Sequence, residues 1–209
     1  MEKLTKISAI AAPMLRINID TDQIIPARFL VRVTNDGLGE GLFAGQRYGR
    51  DGKPNPDFIL NRAPYDRAEI LLADRNFGCG SSREAAPMAL RQRGFRAVIA
   101  PSFGGIFFNN CFRNGVVPVE LPIEAVRQIA AEVEATQGQG KVGVDLEGEA
   151  VTTPSGAVFK FRSPPLLREM LLAGADEVDL TLRRGEQIGD FRGKDSAKRP
   201  WAYRPGLAN

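Results

Sequence analysis

The chain has 209 residues, 43% of them hydrophobic and 25% charged, with a formal net charge of +3 at pH 7. That composition suits one soluble globular domain with a core of its own, and the scattered lysines and arginines lack the dense basic patch of a nucleic-acid binder. Two cysteines and no histidine exclude Ser-His and Cys-His catalysis and His-ligated zinc, and leave too few thiolates for an iron–sulfur cluster or a disulfide framework.

The first fifteen residues, MEKLTKISAIAAPML, are short of apolar length and carry an acid, so they do not read as a signal peptide. No run approaches the roughly 20 apolar residues of a membrane span. A cytoplasmic protein is expected, with no membrane partner. Residues 4–19 are β-prone and broken by Pro13; residues 20–31 open on turn-forming acids and become apolar. Residues 34–57 are dense in Gly, Asn, Asp and Pro, and are expected to form a mobile loop that covers a site or reaches a partner.

The middle is regular. Residues 68–73, 96–101 and 116–121 are apolar runs of strand length, separated by helical stretches at 81–95, ending at Gly94, and 103–115, ending in Asn114-Gly115. This alternation predicts a parallel sheet with crossover helices, hence an α/β class. Residues 122–136 read as a helix with proline at its start. Residues 141–161 alternate apolar and polar, with Gly148 and Gly156 marking turns, and predict β-hairpins. A helix follows at 163–175, with Ser163 as N-cap and Gly174 past its end, then a last strand at 178–184. Residues 185–209 form a C-terminal arm bearing Trp201 and Tyr203, anchored either to a partner or to its own domain. The whole chain, 1–209, reads as a single domain without internal repeats.

Residues 76–86, NFGCGSSREAA, carry the most chemistry. They follow a predicted buried strand and precede a predicted helix, at the strand end where α/β folds bind ligands. The backbone N–H groups of Gly80 through Arg83 would make an anion pocket at the helix N-terminus. Four readings compete. Ser81-Ser82-Arg83-Glu84 fits a capping box, although Pro87 disturbs the second turn, so that the helix is kinked or starts later. A nucleotide phosphate loop lacks its Gly-Lys-Ser/Thr ending. Cys79 as nucleophile has no histidine to pair with; Cys111, inside an apolar helix, reads as core. The fourth reading is a site for a carboxylate substrate. Arg83 would clamp the carboxylate bidentately, and a serine, held as alkoxide by positive potential, would act as base.

NFGCGSSRE, followed by GFRAVIAPSFGGIFFNNCFRNGVVPV, resembles the small-subunit family of bacterial 3-isopropylmalate dehydratases, in the aconitase superfamily. NIDTDQIIPARFL and PNPDFILN resemble the same family, so the likeness covers nearly the whole chain. The resemblance implies a swivelling β/β/α domain, here a parallel strand–helix core with added β-hairpins. It implies docking on a large subunit that carries a [4Fe–4S] cluster, with no cofactor bound by this chain, and a small hydroxy diacid as substrate. The activity implied is a hydro-lyase of leucine biosynthesis.

Residue by residue, Ser81 matches the superfamily's catalytic base, Arg83 its substrate-carboxylate arginine, and Ser82 a neighbouring donor. Gly80 belongs to the anion pocket. Asp22 matches an active-site aspartate; on local grounds alone it is a turn or N-cap acid. Residues 27–34 match a loop that reads the substrate's side chain, making Arg28 and Arg32 candidates for a second carboxylate contact or residues of a solvated face. One position departs from the family: Ala85 stands where these subunits usually carry histidine after Arg-Glu. A paralogue acting on another hydroxy diacid, of methylmalate type, is the nearest alternative. A stand-alone anion-binding module and an RNA-binding relative are the rivals from other classes.

Overall fold

The computed structural model describes residues 2–30 and 36–203. One seven-stranded sheet runs through the molecule in the order β4-β3-β2-β1-β5-β6-β7. Strands β1 (Lys6–Met14), β2 (Ile70–Ala73), β3 (Ala97–Ala100) and β4 (Val117–Glu120) are parallel. Strands β5 (Lys141–Asp145), β6 (Ala150–Thr152) and β7 (Val158–Lys160) are antiparallel, as the alternating hairpin pattern requires.

β1 joins the two halves. Lys6–Ile10 pair antiparallel with β5, and Ala11–Met14 pair parallel with β2. Pro13 therefore sits where β1 has lost β5 as a partner, so its missing N–H breaks no ladder on that side. Pro118 lies on the edge strand β4 for the same reason.

Both faces of the parallel half are covered, and strand alternation sorts the side chains into two cores. Ile70 and Leu72 of β2, with Ala97 and Ile99 of β3, face α5 (Ile123–Ala135) and α6 (Pro165–Ala173). Leu71, Ala73, Val98 and Ala100 face the opposite way. There they meet α3 (Ala85–Gln92) and one side of α4 (Gly105–Arg113), together with the short turns α1 (Thr21–Ile24) and α2 (Ala44–Arg47). Burial on both faces accounts for strands that read as continuous apolar runs.

Several sequence expectations need correction. The predicted helix at 81–95 starts at Ala85, with Glu84 as N-cap and no side-chain capping bond, so the Ser81–Glu84 capping box does not form. Pro87 then falls in the first turn, where its absent N–H costs nothing. Residues 178–184 are not a strand: α7 (Glu177–Leu182) is a helix, fixed by a capping box between Asp176 and Asp179. Ser163 is not an N-cap; α6 is capped at Pro164, and Ser163 instead gives its N–H and hydroxyl to Glu149 at 2.6 and 2.7 Å. Gly174 does close α6 in the left-handed conformation.

Within the section expected as a loop, short helical turns at Leu38–Gly41 and α2 bury Leu38, Leu42 and Phe43. At the C-terminus, α8 (Gly185–Lys198) buries no residue, and Trp201 is 64% exposed, so the arm's tryptophan does not dock on its own domain.

Candidate active site

The site stands on three chain segments that leave the carboxyl ends of β1, β2 and β3. The middle one is the 76–84 stretch. After β2 the chain keeps sheet-like pairing: Phe77 bridges Phe103, and Cys79 bridges Asp20, both in parallel. Gly78 N donates to Ile19 O at 2.7 Å, Thr21 N to Cys79 O at 2.9 Å, and Gly104 N to Phe77 O at 2.9 Å. Asn76, Gly78 and Gly80 carry φ of 62, 70 and 90°. Three left-handed residues at every second position explain why this stretch is spelled with one asparagine and two glycines.

Gly78 is also required by space. A Cβ there would lie 2.2 Å from the ring of Phe107. That ring belongs to an aromatic floor under the loop: Phe77 packs edge-on against Phe107 at 5.4 Å and against Phe103 at 6.3 Å. Edge-on aromatic pairs contribute about 0.5–1.5 kcal/mol beyond area burial, which suits a floor that must hold a loop still.

On this floor sit Ser81 and Ser82, both exposed, and Arg83, whose side chain is only 18% exposed. Arg83 Nη1 donates to Asp22 Oδ1 at 2.5 Å and lies 3.4 Å from the carbonyl of Ile25. Asp22 is thus brought to the Ser81 loop. The N-cap role that local reasoning offered it falls to Asp20, whose Oδ1 accepts from Gln23 N at 2.7 Å. The Gly80–Arg83 segment precedes the N-cap of α3, so its amides lie ahead of the helix rather than in its first turn.

Thr21, between the two aspartates, was not legible as a site residue. It is 1% exposed, and its hydroxyl donates to the Ser81 carbonyl at 3.0 Å. With the Thr21 N–H on Cys79 O, it fixes the backbone on either side of Gly80. A threonine between two acids gives no signal of a hydroxyl aimed at a residue sixty positions away.

Arg28 is exposed, with its guanidinium 5.0 Å from the Phe29 ring. It lines an open concavity of about 490 Å³ with Tyr48 and Arg50, and none of that lining comes from the Ser81 loop. Arg32 lies outside the described residues. Ala85 opens α3 half-buried against the second core. Burial holds the Cys111 thiol well above its usual pKa, as expected of a core cysteine, while Cys79 is partly exposed. Among the described residues no three His, Cys, Asp or Glu side chains stand close enough together to hold a metal ion.

The geometry therefore offers an exposed serine on a rigid loop, with a paired, half-sheltered guanidinium two residues on. Residues 1–124 match the family model described as the aconitase C-terminal domain. The chain is 50% identical over 208 residues to a 3-isopropylmalate dehydratase small subunit from Cupriavidus necator, covering 99% of this chain and 100% of that one. It is 48% identical over 204 residues to one from Gluconacetobacter diazotrophicus, covering 98% of each. A crystal structure of 3-isopropylmalate dehydratase from Methanocaldococcus jannaschii superposes with a TM-score of 0.63 at 28% identity, over 88% of this chain and 99% of that one.

Proposed function

This chain belongs to the aconitase C-terminal domain family and, within it, to the small subunits of 3-isopropylmalate dehydratase; on that premise we propose how its site works. It serves as the smaller half of a hydro-lyase that interconverts 2- and 3-isopropylmalate, through isopropylmaleate, in leucine biosynthesis. The observation that carries this is an exposed Ser81 two residues from an Arg83 that Asp22 holds, on a loop bonded to the chain after β1.

Arg83 binds a substrate carboxylate through the guanidinium edge that Asp22 does not occupy. Asp22 holds the guanidinium in register. Ser81, as alkoxide, takes the proton from the carbon next to that carboxylate as the hydroxyl on the neighbouring carbon departs, leaving the alkene. In the return step Ser81 gives that proton to the carbon that had carried the hydroxyl and hydroxide adds to the carbon that had lost the proton, which restores one water overall with the opposite regiochemistry. A serine is a poor base at its ordinary pKa, so the mechanism relies on the positive potential of Arg83 and of the amides around Gly80. Ser82 donates a hydrogen bond to the bound acid, and Arg28 with Arg32 reads its far end.

The partner in this reading is a large subunit. A [4Fe–4S] cluster carried there supplies the Lewis acidity under which the hydroxyl leaves. The reading is of a cytoplasmic enzyme; no described helix is long and apolar enough to cross a membrane. Ala85 favours one second reading, a paralogue acting on a methylmalate-type diacid, and a panel of diacids separates the two by preferred substrate. The direct test of the base is Ser81→Ala in the assembled enzyme. It should fold, assemble and bind substrate but lose turnover; retention of full activity would remove Ser81 from the chemistry.

A further inference from the structure

The C-terminal arm gathers apolar surface that the body of the molecule does not use. Of the twelve large hydrophobic side chains exposed among the described residues, six lie within residues 177–203: Val178, Leu182, Ile188, Phe191, Trp201 and Tyr203. Leu182 is 71% exposed and Phe191 61%. The arm leaves the body away from the Ser81 loop. α4 begins at Gly105, beside that loop, and ends at Arg113, which bonds Glu177 at the start of α7 at 2.8 Å. α8 then projects, with every residue from Gly185 to Lys194 exposed.

α8 is poorly equipped to stand alone. It has 14 residues, Gly185, Gly189 and Gly193 among them. Free helices of roughly 12–15 residues are marginal even when rich in alanine, and each glycine weakens them further. Its end is nevertheless fastened. Arg199 bonds both Asp195 carboxylate oxygens at 2.8 and 2.6 Å, and the Tyr203 hydroxyl donates to Asp195 at 2.8 Å, which lays Tyr203 back along the helix. Its charges are sorted as well. Glu186, Asp190, Lys194 and Lys198 follow one another four positions apart, so they form one stripe, acidic in its first half and basic in its second. Among the described residues none of the four has an ion pair. Ile188 and Phe191, three apart, form the face alongside the stripe.

We propose that this arm pairs with the same arm of a second copy of the chain, the two α8 helices lying antiparallel about a twofold axis at Arg192. In that register Glu186 faces Lys198 of the second copy and Asp190 faces its Lys194, and the twofold repeats both pairs. One register therefore satisfies all four charges at once. A parallel pair would set acid on acid and base on base, so the stripe fixes direction as well as register. Ile188 and Phe191 close under the charged pairs, and Val178, Leu182 and Trp201 extend the apolar contact. Residues 177–203 match the roughly 20–30 residues a side of a standard interface. The pairing lies away from the Ser81 loop, so each copy keeps its own site.

Sedimentation equilibrium of the full chain tests this with two charge reversals, Glu186→Lys/Asp190→Lys and Lys194→Glu/Lys198→Glu. α8 buries no residue, so neither disturbs a core, and melting curves establish folding. The wild-type chain should form dimers that weaken as salt is raised. Each variant alone places like charges at all four contacts and should dissociate at least about tenfold more readily. An equal mixture of the two variants makes every contact opposite again and should recover the wild-type dimer. A wild-type chain that stays monomeric would overturn the proposal. So would variants that dimerise as well as wild type, or a mixture that recovers nothing. Reversals that leave self-association alone and instead weaken binding of the large subunit would assign the arm to that partner and overturn it too. Each of these outcomes leaves the hydro-lyase assignment standing.

Discussion

The Arg83 guanidinium lies 2.5 Å from the Asp22 carboxylate across 61 positions of sequence, so the Ser81 loop and the turn after β1 share one charged contact. Arg83 is sheltered and Asp22 is 58% exposed, which makes the pair a means of aiming the arginine rather than a stabilising bridge. Arg83→Lys should raise KM steeply, because an ammonium cannot make the fork to a carboxylate. Asp22→Asn should raise KM by roughly tenfold, the scale of losing one charge-assisted hydrogen bond. Steady-state kinetics of the assembled enzyme check both. Unchanged constants for Arg83→Lys would take it out of the site.

Thr21→Val keeps the side chain's shape and removes the hydroxyl that holds the Ser81 carbonyl. We expect kcat to fall roughly tenfold or more through misplacement of the serine, with KM nearly constant and stability lower by about 1–2 kcal/mol. Thr21→Ser should restore the rate. A variant that melts lower yet turns over normally would show that the bond is purely structural.

Gly78→Ala tests the aromatic floor. The new methyl would collide with Phe107 at a residue whose φ is +70°. Left-handed strain and overpacking together should cost about 3 kcal/mol, or roughly 10 °C in Tm for a chain of this size. Thermal unfolding of the isolated chain measures this. A melting temperature within a degree or two of wild type would mean that the loop can shift away from the ring.

The Thr153 hydroxyl, the Gln128 amide and the N–H of Ser155 hold the Glu132 carboxyl down to about 2, from an ordinary value near 4.5. A lowered folded-state pKa favours the native state above the unfolded value and is lost as pH falls through the folded one. The stabilisation from this clamp should therefore be complete above pH 4.5 and fade toward pH 2. Urea unfolding of Glu132→Gln should show a shallower loss of stability than wild type between pH 4.5 and 3. Parallel curves would contradict the clamp.

Much of this was written in plain patterns. The runs containing β2, β3 and β4 are apolar at every buried position, and the 141–161 alternation became the antiparallel half of the sheet. What misled was local ambiguity. Val178, Leu180 and Leu182 alternate like a strand, yet a capping box nucleates α7 and only Leu180 is buried. Ser81 and Glu84 spell a cap, but left-handed Gly80 and pairing with the β1 loop hold that segment out of the helix. At the site, the motif pointed to Ser81 and Arg83. Thr21 stayed hidden because its role depends on a contact sixty residues away, and Arg28 came in only through the resemblance of residues 27–34; it lines a concavity with Tyr48 and Arg50.

The central claim is that this chain is half of a hydro-lyase. The most direct measurement follows alkene formation by ultraviolet absorbance in two anaerobic samples, one of this chain alone and one of this chain assembled with its cluster-loaded large subunit. Each is given isopropylmalate and a panel of related diacids. Turnover in the assembled sample alone, strongest on isopropylmalate, is the predicted result. No turnover on any diacid, despite an intact cluster and a stable complex, would contradict the account.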